Sequence, residues 1–291
     1  MDKQVFDFQY PGFSAGSAGQ CTLNVVMGTE GFSLLAVARN GEIRALKSWQ
    51  FANLGRDFQD AESNLRHAFG SEPVFSYPFE QVRCAFFNLN ATLVPRRLFD
   101  ANDLSAYFKI LLRPAEYEYR YDELPEFDCF LVYAIEPLVT RMCGQYFPGA
   151  QLSHLAVPLL KNLRGVARRD DCEVFVNIRN QAAQVFVLDR QNLVFYNAFQ
   201  YSKPSDLLYF VLLAYEQFRL NTSEITLTLC GNLAEDSDTF RLLYRYIQQV
   251  RFLTLPEKFV LPESADTLPA HYWYDLFCLH PSPVAHPQFQ P

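Results

Sequence analysis

Seven cysteines, five histidines and a few short basic runs are the side chains with which this sequence could do chemistry. A zinc or dithiol centre needs thiolates close together in the chain, as in Cys-x-x-Cys. Cys21, Cys84, Cys129, Cys143, Cys172, Cys230 and Cys278 never come that close, and most stand in apolar runs such as Cys129-Phe130-Leu131-Val132-Tyr133. They read as small buried hydrophobes in a reducing compartment. His67, His154, His271, His280 and His286 include no pair at helical spacing and no His-Glu-x-x-His, which leaves a metalloprotease without support. Gly12 to Gly19 gives only a shifted imitation of Gly-x-Ser-x-Gly, in a lead that lacks the strand and helix of a nucleophile elbow. No phosphate-binding G-x-x-x-x-G-K-[ST] loop occurs. Lys161, Arg164, Arg168 and Arg169 gather near the end of a helical stretch, where the helix dipole favours cations. A solvated helix face is the ordinary reading, and a phosphate or acidic partner is the alternative. Arg96 and Arg97 read as a solvated strand end.

These residues belong to a chain of 291 residues, of which 49% are hydrophobic and 20% charged, enough for a sizeable interior and about right for two domains. Phe (27) and Tyr (16) supply the large aromatics that fill cores and interfaces. A net charge of -7 argues against a protein whose whole surface binds nucleic acid or anionic lipid. No apolar run reaches the roughly 20 residues of a membrane-spanning helix. Met1 to Gln20 contains Asp2 and Asp7 but no apolar core of a secretory signal, so a cytoplasmic location is expected.

The elements follow one order twice. After an irregular lead, Thr22–Met27 and Phe32–Ala38 read as strands joined by Gly28-Thr29-Glu30-Gly31, and Asn40-Gly41 leads into a third strand, Ile43–Phe51. Asp57 or Asp60 opens a helix through Phe69, with Gly70 as its stop. A strand at Val82–Asn88, paired with Ala91–Pro95, precedes a helix over Asp103–Leu112, a strand at Cys129–Ile135 and a helix after Pro137. The second half runs from a helix at Leu155–Arg168 into strands at Glu173–Asn177, Ala182–Leu188 and Leu193–Tyr201. A helix at Leu207–Arg219, a strand at Ile225–Cys230, a helix to Ile247 and a short strand at Phe252–Leu255 complete it. The expected fold is α/β: two tandem ribonuclease-H-like modules, each a mixed five-stranded sheet with helices.

The duplicated order resembles the actin-like ATPase superfamily, and within it the PilM-like pilus-assembly proteins. More narrowly it is similar to an uncharacterised bacterial family, typical of Bacteroidetes, known only as a domain of unknown function. The resemblance is carried by Leu23-Asn24-Val25-Val26-Met27-Gly28-Thr29-Glu30-Gly31-Phe32-Ser33 and by Phe175-Val176-Asn177-Ile178-Arg179-Asn180. It is also carried by Leu227-Thr228-Leu229-Cys230-Gly231 and by the tail Leu268 to Phe277. A first module is expected at 20–152 and a second at 153–255, and the aromatic-rich C-terminal segment at 256–280, too apolar to stay in water, is expected to dock back on the first module. A Pro-rich disordered tail at 281–291 follows.

The resemblance also states what a working site would need. Hydrolysing members carry Asp-x-Gly at the first turn of each module, an oxygen ligand for magnesium beside a glycine that lets backbone approach phosphate. Here Met27-Gly28-Thr29 and Asn177-Ile178-Arg179 stand at those turns, and neither supplies the carboxylate. The same lack removes a two-metal nuclease. Gly28, Thr29, Asn177, Arg179 and Gly231 are therefore candidates for a degenerate nucleotide cleft. Gly231 matches the glycine beside the adenine, or else answers a strand-to-helix turn; Arg179 meets a phosphate, or else is an exposed turn arginine. No cofactor is expected, with room left for residual ATP or ADP binding. PilM-like relatives recruit a short peptide, so the expected role is a non-catalytic scaffold or adaptor with a protein or short peptide as its partner. Tyr117, Tyr119 and Tyr121, alternating with charges, are the candidate partner-binding residues. The alternatives are a divergent ATPase or nucleotide switch whose metal is held by Glu30, and a nucleic-acid-processing accessory using the basic helix around Arg164.

Overall fold

The computed structural model describes residues 3–51, 58–110, 116–179, 181–256, 258–259 and 269–280. In chain order the elements are β1 (Lys3–Gln9), α1 (Ala15–Ala18), β2 (Cys21–Gly28), β3 (Gly31–Ala38), β4 (Ile43–Gln50), α2 (Phe58–Ser71), β5 (Gln81–Phe86), β6 (Ala91–Pro95), β7 (Glu118–Leu124) and β8 (Cys129–Ile135). Then come α3 (Pro137–Tyr146), β9 (Gln151–His154), α4 (Ala156–Val166), β10 (Cys172–Arg179), β11 (Ala182–Asp189) and β12 (Asn192–Gln200). The chain closes with α5 (Pro204–Gln217), β13 (Thr226–Gly231), α6 (Asp238–Tyr246), β14 (Val250–Phe252) and α7 (Tyr274–Cys278).

Three sheets form. The first has six strands in the order β1-β4-β3-β2-β5-β9, the second five in the order β12-β11-β10-β13-β14, and the third three in the order β6-β8-β7. In the first, β2, β3 and β4 form an antiparallel meander, while β5 and β9 add in parallel beside β2. The second repeats that plan, with β10, β11 and β12 antiparallel and β13 and β14 parallel.

The turns explain the meanders. Gly41 (φ 87) takes the left-handed conformation between β3 and β4, and the Asn40 side chain accepts the Glu42 amide at 3.2 Å. Between β11 and β12 the loop is a tighter, two-residue one with both residues left-handed, Arg190 and Gln191 at φ 50 and 65, held by Arg190 N donating to the Asp171 carbonyl and Gln191 Nε2 to the Ala167 carbonyl.

Alternation along β10 divides its side chains between two interiors. Val174, Val176 and Ile178 pack with Leu207, Val211 and Leu243 of α5 and α6, whereas Phe175 joins the large core built on the first sheet. That core also contains Trp273, Tyr274, Leu276 and Phe277, so the C-terminal helix is packed into the interior. α7 touches β2, β3 and β13, and the buried Asn24 side chain donates to the Leu276 carbonyl at 3.1 Å. The third sheet has its own small core of Val94, Phe108, Phe130, Val132 and Ala134.

Four expectations are corrected. The lead is not irregular: Lys3–Gln9 forms β1 against β4, which makes the first sheet six-stranded. Cys129–Ile135 is the central strand of the third sheet, and the place beside β5 is taken by the short, polar β9. Ala91–Pro95 pairs with that same strand, because Asn88 turns the chain out of the first sheet by donating to the Ala134 carbonyl at 2.8 Å. Of the helix expected over Asp103–Leu112, the described residues form only a 3₁₀ turn at Leu104–Phe108, where Phe108 is buried and Ile110 beyond it is 97% exposed; Leu111 and Leu112 lie outside the described residues. Asp57, Asn180 and the 281–291 tail lie outside the described residues.

No described helix is long and apolar enough to cross a membrane. All seven cysteines are free, and all but Cys172 are buried.

Candidate functional site

The β2–β3 and β10–β11 turns, which occupy corresponding places in the two larger sheets, are directly connected. Gly28 pairs with Gly31 across the first turn, leaving Thr29 and Glu30 at its tip, both half-buried. A side chain at position 28 would run into the Glu30 carboxylate, so glycine there lets that carboxylate fold back over the turn.

Arg179 ends β10. The alternation that turns Phe175 inward turns Asn177 and Arg179 the same way. Arg179 is 7% exposed, which overturns the reading of an exposed turn arginine. Its Nε donates to Oε1 of Glu30 at 2.8 Å and its Nη1 to Oδ2 of Asp275 at 2.5 Å. Asp275 lies in the first turn of α7, where its Oδ1 accepts the Leu276 amide at 2.8 Å. Burial alone would lower the pKa of Arg179, but Asp275 and Glu30 outweigh it and hold the guanidinium above its ordinary range. Burial pushes the Asp275 carboxyl above the usual carboxylate value, against the pull of Arg179.

Asn177 lies beneath, fully engaged in a buried amide network. Its Nδ2 donates to Oε1 of Gln184 at 3.1 Å, its Oδ1 accepts the Cys230 thiol at 3.5 Å, and Gln184 passes the chain on to the Tyr196 hydroxyl. Gly231 takes φ 89, and a side chain there would collide with the Ile178 carbonyl, which accepts the Asn232 amide at 2.7 Å. The close approach of β13 to β10 is what requires this glycine.

In front of the Glu30–Arg179–Asp275 cluster is a cleft of about 120 Å³, walled by Trp49, Tyr272 and Trp273. No group of three His, Cys, Asp or Glu among the described residues is placed to hold a metal ion. The structure thus brings Gly28, Thr29 and Arg179 to one place with Asn177 and Gly231 just behind. It adds Asp275, which sequence reasoning missed. One signal was available: the matched turns carry an acid and a base, Glu30 and Arg179, which would pair if the turns faced each other.

Tyr117, Tyr119 and Tyr121 are elsewhere, on and just before β7, an edge strand of the third sheet. Tyr117 and Tyr119 pack on the small core of that sheet, while Tyr121 is 44% exposed with its ring against Phe99 and Phe130. Within the basic cluster Arg168 is paired with Asp171 and Glu173, while Arg164 lies over the Phe127 ring and keeps its charge.

Comparison with known proteins gives the fold. The model of a family described as a protein of unknown function, DUF3822, matches residues 11–250. A Bacteroides thetaiotaomicron protein with an actin-like ATPase fold and unknown function superposes with a TM-score of 0.72 at 19% identity, over 83% of this chain and 93% of that one. The PilM–PilN type IV pilus biogenesis complex gives 0.62 at 14% identity, over 89% and 97%. The ethanolamine utilization protein EutJ from Carboxydothermus hydrogenoformans gives 0.50 at 10%, over 89% and 88%. None of the curated proteins matches the chain. At these identities the likeness shows an actin-like ATPase fold and nothing finer.

Proposed function

The chain belongs to the DUF3822 family, and we propose that it is a non-catalytic scaffold or adaptor of actin-like fold that binds a protein partner. The observation that carries this reading is the Glu30–Arg179–Asp275 cluster. A magnesium–triphosphate needs free carboxylate oxygens and room between the two turns. Glu30, the carboxylate nearest the first turn, is engaged by Arg179; Asn177 is turned into the core; and about 120 Å³ is well below the roughly 300 Å³ at which small-molecule pockets begin. The residues present do not fit the group.

In this reading the two larger sheets are two modules, 20–152 and 153–255, and the C-terminal segment 256–280 packs back on the first module, its α7 touching β2 and β3 and also β13. The partner is a protein or short peptide, as PilN is for PilM. It docks on β7, whose outer edge pairs with no other strand among the described residues and whose Tyr121 is half exposed. The proposed compartment is the cytoplasm, which suits seven free cysteines.

Two measurements test this. Thermal denaturation of the full chain with millimolar ATP or ADP and Mg²⁺ is expected to give no shift in midpoint. A saturable upward shift that Glu30→Gln abolishes would establish the nucleotide switch in its place. A photo-crosslinker at position 121 should capture a partner that then binds the purified chain and is lost on Tyr121→Arg. Binding unaffected by that change removes β7 as the docking strand.

A further inference from the structure

Glu30 and Asp275 set two carboxylates against the single guanidinium of Arg179, so the cluster keeps one negative charge in excess when all three are ionised. The side chains of Glu30, Arg179 and Asp275 are 14%, 8% and 4% exposed, so solvent screens this excess poorly. The hydrogen bonds locate it. Asp275 uses both oxygens, one on Arg179 and one on the Leu276 amide, whereas only Oε1 of Glu30 has a donor among the described residues. The unmatched oxygen is therefore Oε2 of Glu30, the most exposed of the three carboxylate and guanidinium groups and a lining group of the cleft.

The rest of the cleft wall has a matching character. Trp49, Tyr272 and Trp273 line it, Trp49 with one ring face stacked on Phe32 at 4.3 Å, and aromatic faces attract cations most strongly when water is excluded. An anion entering here would meet Glu30 and Asp275 while two of the three Arg179 nitrogens are already engaged. A magnesium ion could reach Oε2 of Glu30, but both Asp275 oxygens are engaged and no group of three His, Cys, Asp or Glu among the described residues could complete its shell of oxygen ligands. A cleft of about 120 Å³ is small, which limits the guest to a single compact group.

We propose that this cleft is a receptor for one alkylammonium group, a lysine side-chain terminus or a small free amine, with Glu30 as its counter-ion and Trp49 and Tyr272 as its walls. The inference rests on the reading of the cleft as one that holds no nucleotide. It gives that reading a chemistry: the chain has an internal cation in Arg179 and takes a second from its ligand.

The test uses the full-length protein and calorimetric titration with n-butylamine and with Nα-acetyl-lysine N-methylamide, against n-butanol, sodium phosphate and MgCl₂ as counter-probes. Saturable binding of an amine, weakened about tenfold or more by Glu30→Gln and by raised salt, is expected. The half-exposed Tyr272→Leu, which leaves the ion cluster intact, should weaken it as well and keeps the test sound if Glu30→Gln fails to fold. Binding of butylamine but not of the lysine derivative supports the site and assigns it to free amines; binding of both assigns it to a partner's lysine as well. No saturable amine binding, equal binding of butanol, preference for phosphate, or amine binding untouched by both variants overturns the proposal. Magnesium-dependent ATP binding at the cluster would instead sink the non-catalytic reading and this inference with it. Failure of the amines alone leaves that reading standing.

Discussion

Glu30 and Arg179 lie 149 positions apart in the chain and meet at 2.8 Å, joining the tip of one sheet's first hairpin to the end of the other sheet's first strand. Asp275 completes the bridge from the C-terminal helix, so one guanidinium ties together three distant segments. Breaking such a cluster by removing its only cation leaves the buried Asp275 carboxylate and the half-buried Glu30 carboxylate without their counter-charge. Arg179→Met should therefore cost about 3–5 kcal/mol in urea denaturation. Glu30→Gln and Asp275→Asn added to it should recover part of that loss, since the uncompensated charges are then gone. The deficit of the single variant should also shrink in acid. Asp275 has a folded pKa raised by burial, so the folded state takes up its proton first and the penalty is relieved as pH falls through that value. A deficit that stays constant down to pH 4 would contradict this account.

His154 gives a pH dependence of opposite sign. Its ring is fully buried, Nδ1 accepts the Ala156 amide at 3.2 Å, and Nε2, which must then carry the proton, faces the Asn88 carbonyl at 3.1 Å. Burial lowers its pKa to about 4. The unfolded chain binds this proton near pH 6.5 and the folded chain does not, so the stability is whole above that pH and is lost as pH falls toward 4. The difference corresponds to about 3 kcal/mol. Urea midpoints of the native chain and His154→Gln, compared at pH 7, 5.5 and 4, should converge by roughly that amount.

Much of this arrangement was legible in the sequence, and the parts that were not share a cause. Strands β2, β3 and β4 announce themselves by apolar runs and by the Asn40-Gly41 turn, and the repeated order announces the second sheet. Strand β1 is hidden because Lys3, Gln4, Asp7 and Gln9 break its pattern and only Phe8 of its described side chains is fully buried. β9 is four residues long and polar. Cys129–Ile135 shows the opposite problem: seven buried residues guarantee a strand but do not say which sheet it joins. At the site, the turn residues follow from local chemistry, whereas Asp275 is brought in by tertiary packing alone. A lone Asp in an aromatic tail carries no sign of its distant arginine.

The two kinds of glycine in this chain should respond oppositely to alanine. Gly231 holds a left-handed φ of 89 with its open side pressed on the Ile178 carbonyl. Gly231→Ala must distort the β13–β10 contact and should cost about 3 kcal/mol. Gly144, inside α3, has open space where a methyl would go. Gly144→Ala should gain about 0.5–1 kcal/mol by reducing the freedom of the unfolded chain. Equal effects from the two substitutions, measured by urea denaturation, would show that backbone conformation is not what position 231 demands.

Two tyrosines on neighbouring strands of the third sheet make a last contrast. The Tyr133 hydroxyl donates to Oδ2 of Asp122 at 2.9 Å, and burial already raises that carboxylate's pKa. Tyr133→Phe removes a donor from a charge that needs it and should cost about 1–2 kcal/mol. The Tyr119 hydroxyl is buried without a hydrogen-bond partner among the described residues, which leave its desolvation uncompensated. Tyr119→Phe deletes only that penalty and should leave stability unchanged or raise it by up to about 1 kcal/mol. If Tyr119→Phe proves as costly as Tyr133→Phe, an ordered water must be completing the Tyr119 site, and a high-resolution crystal structure would locate it.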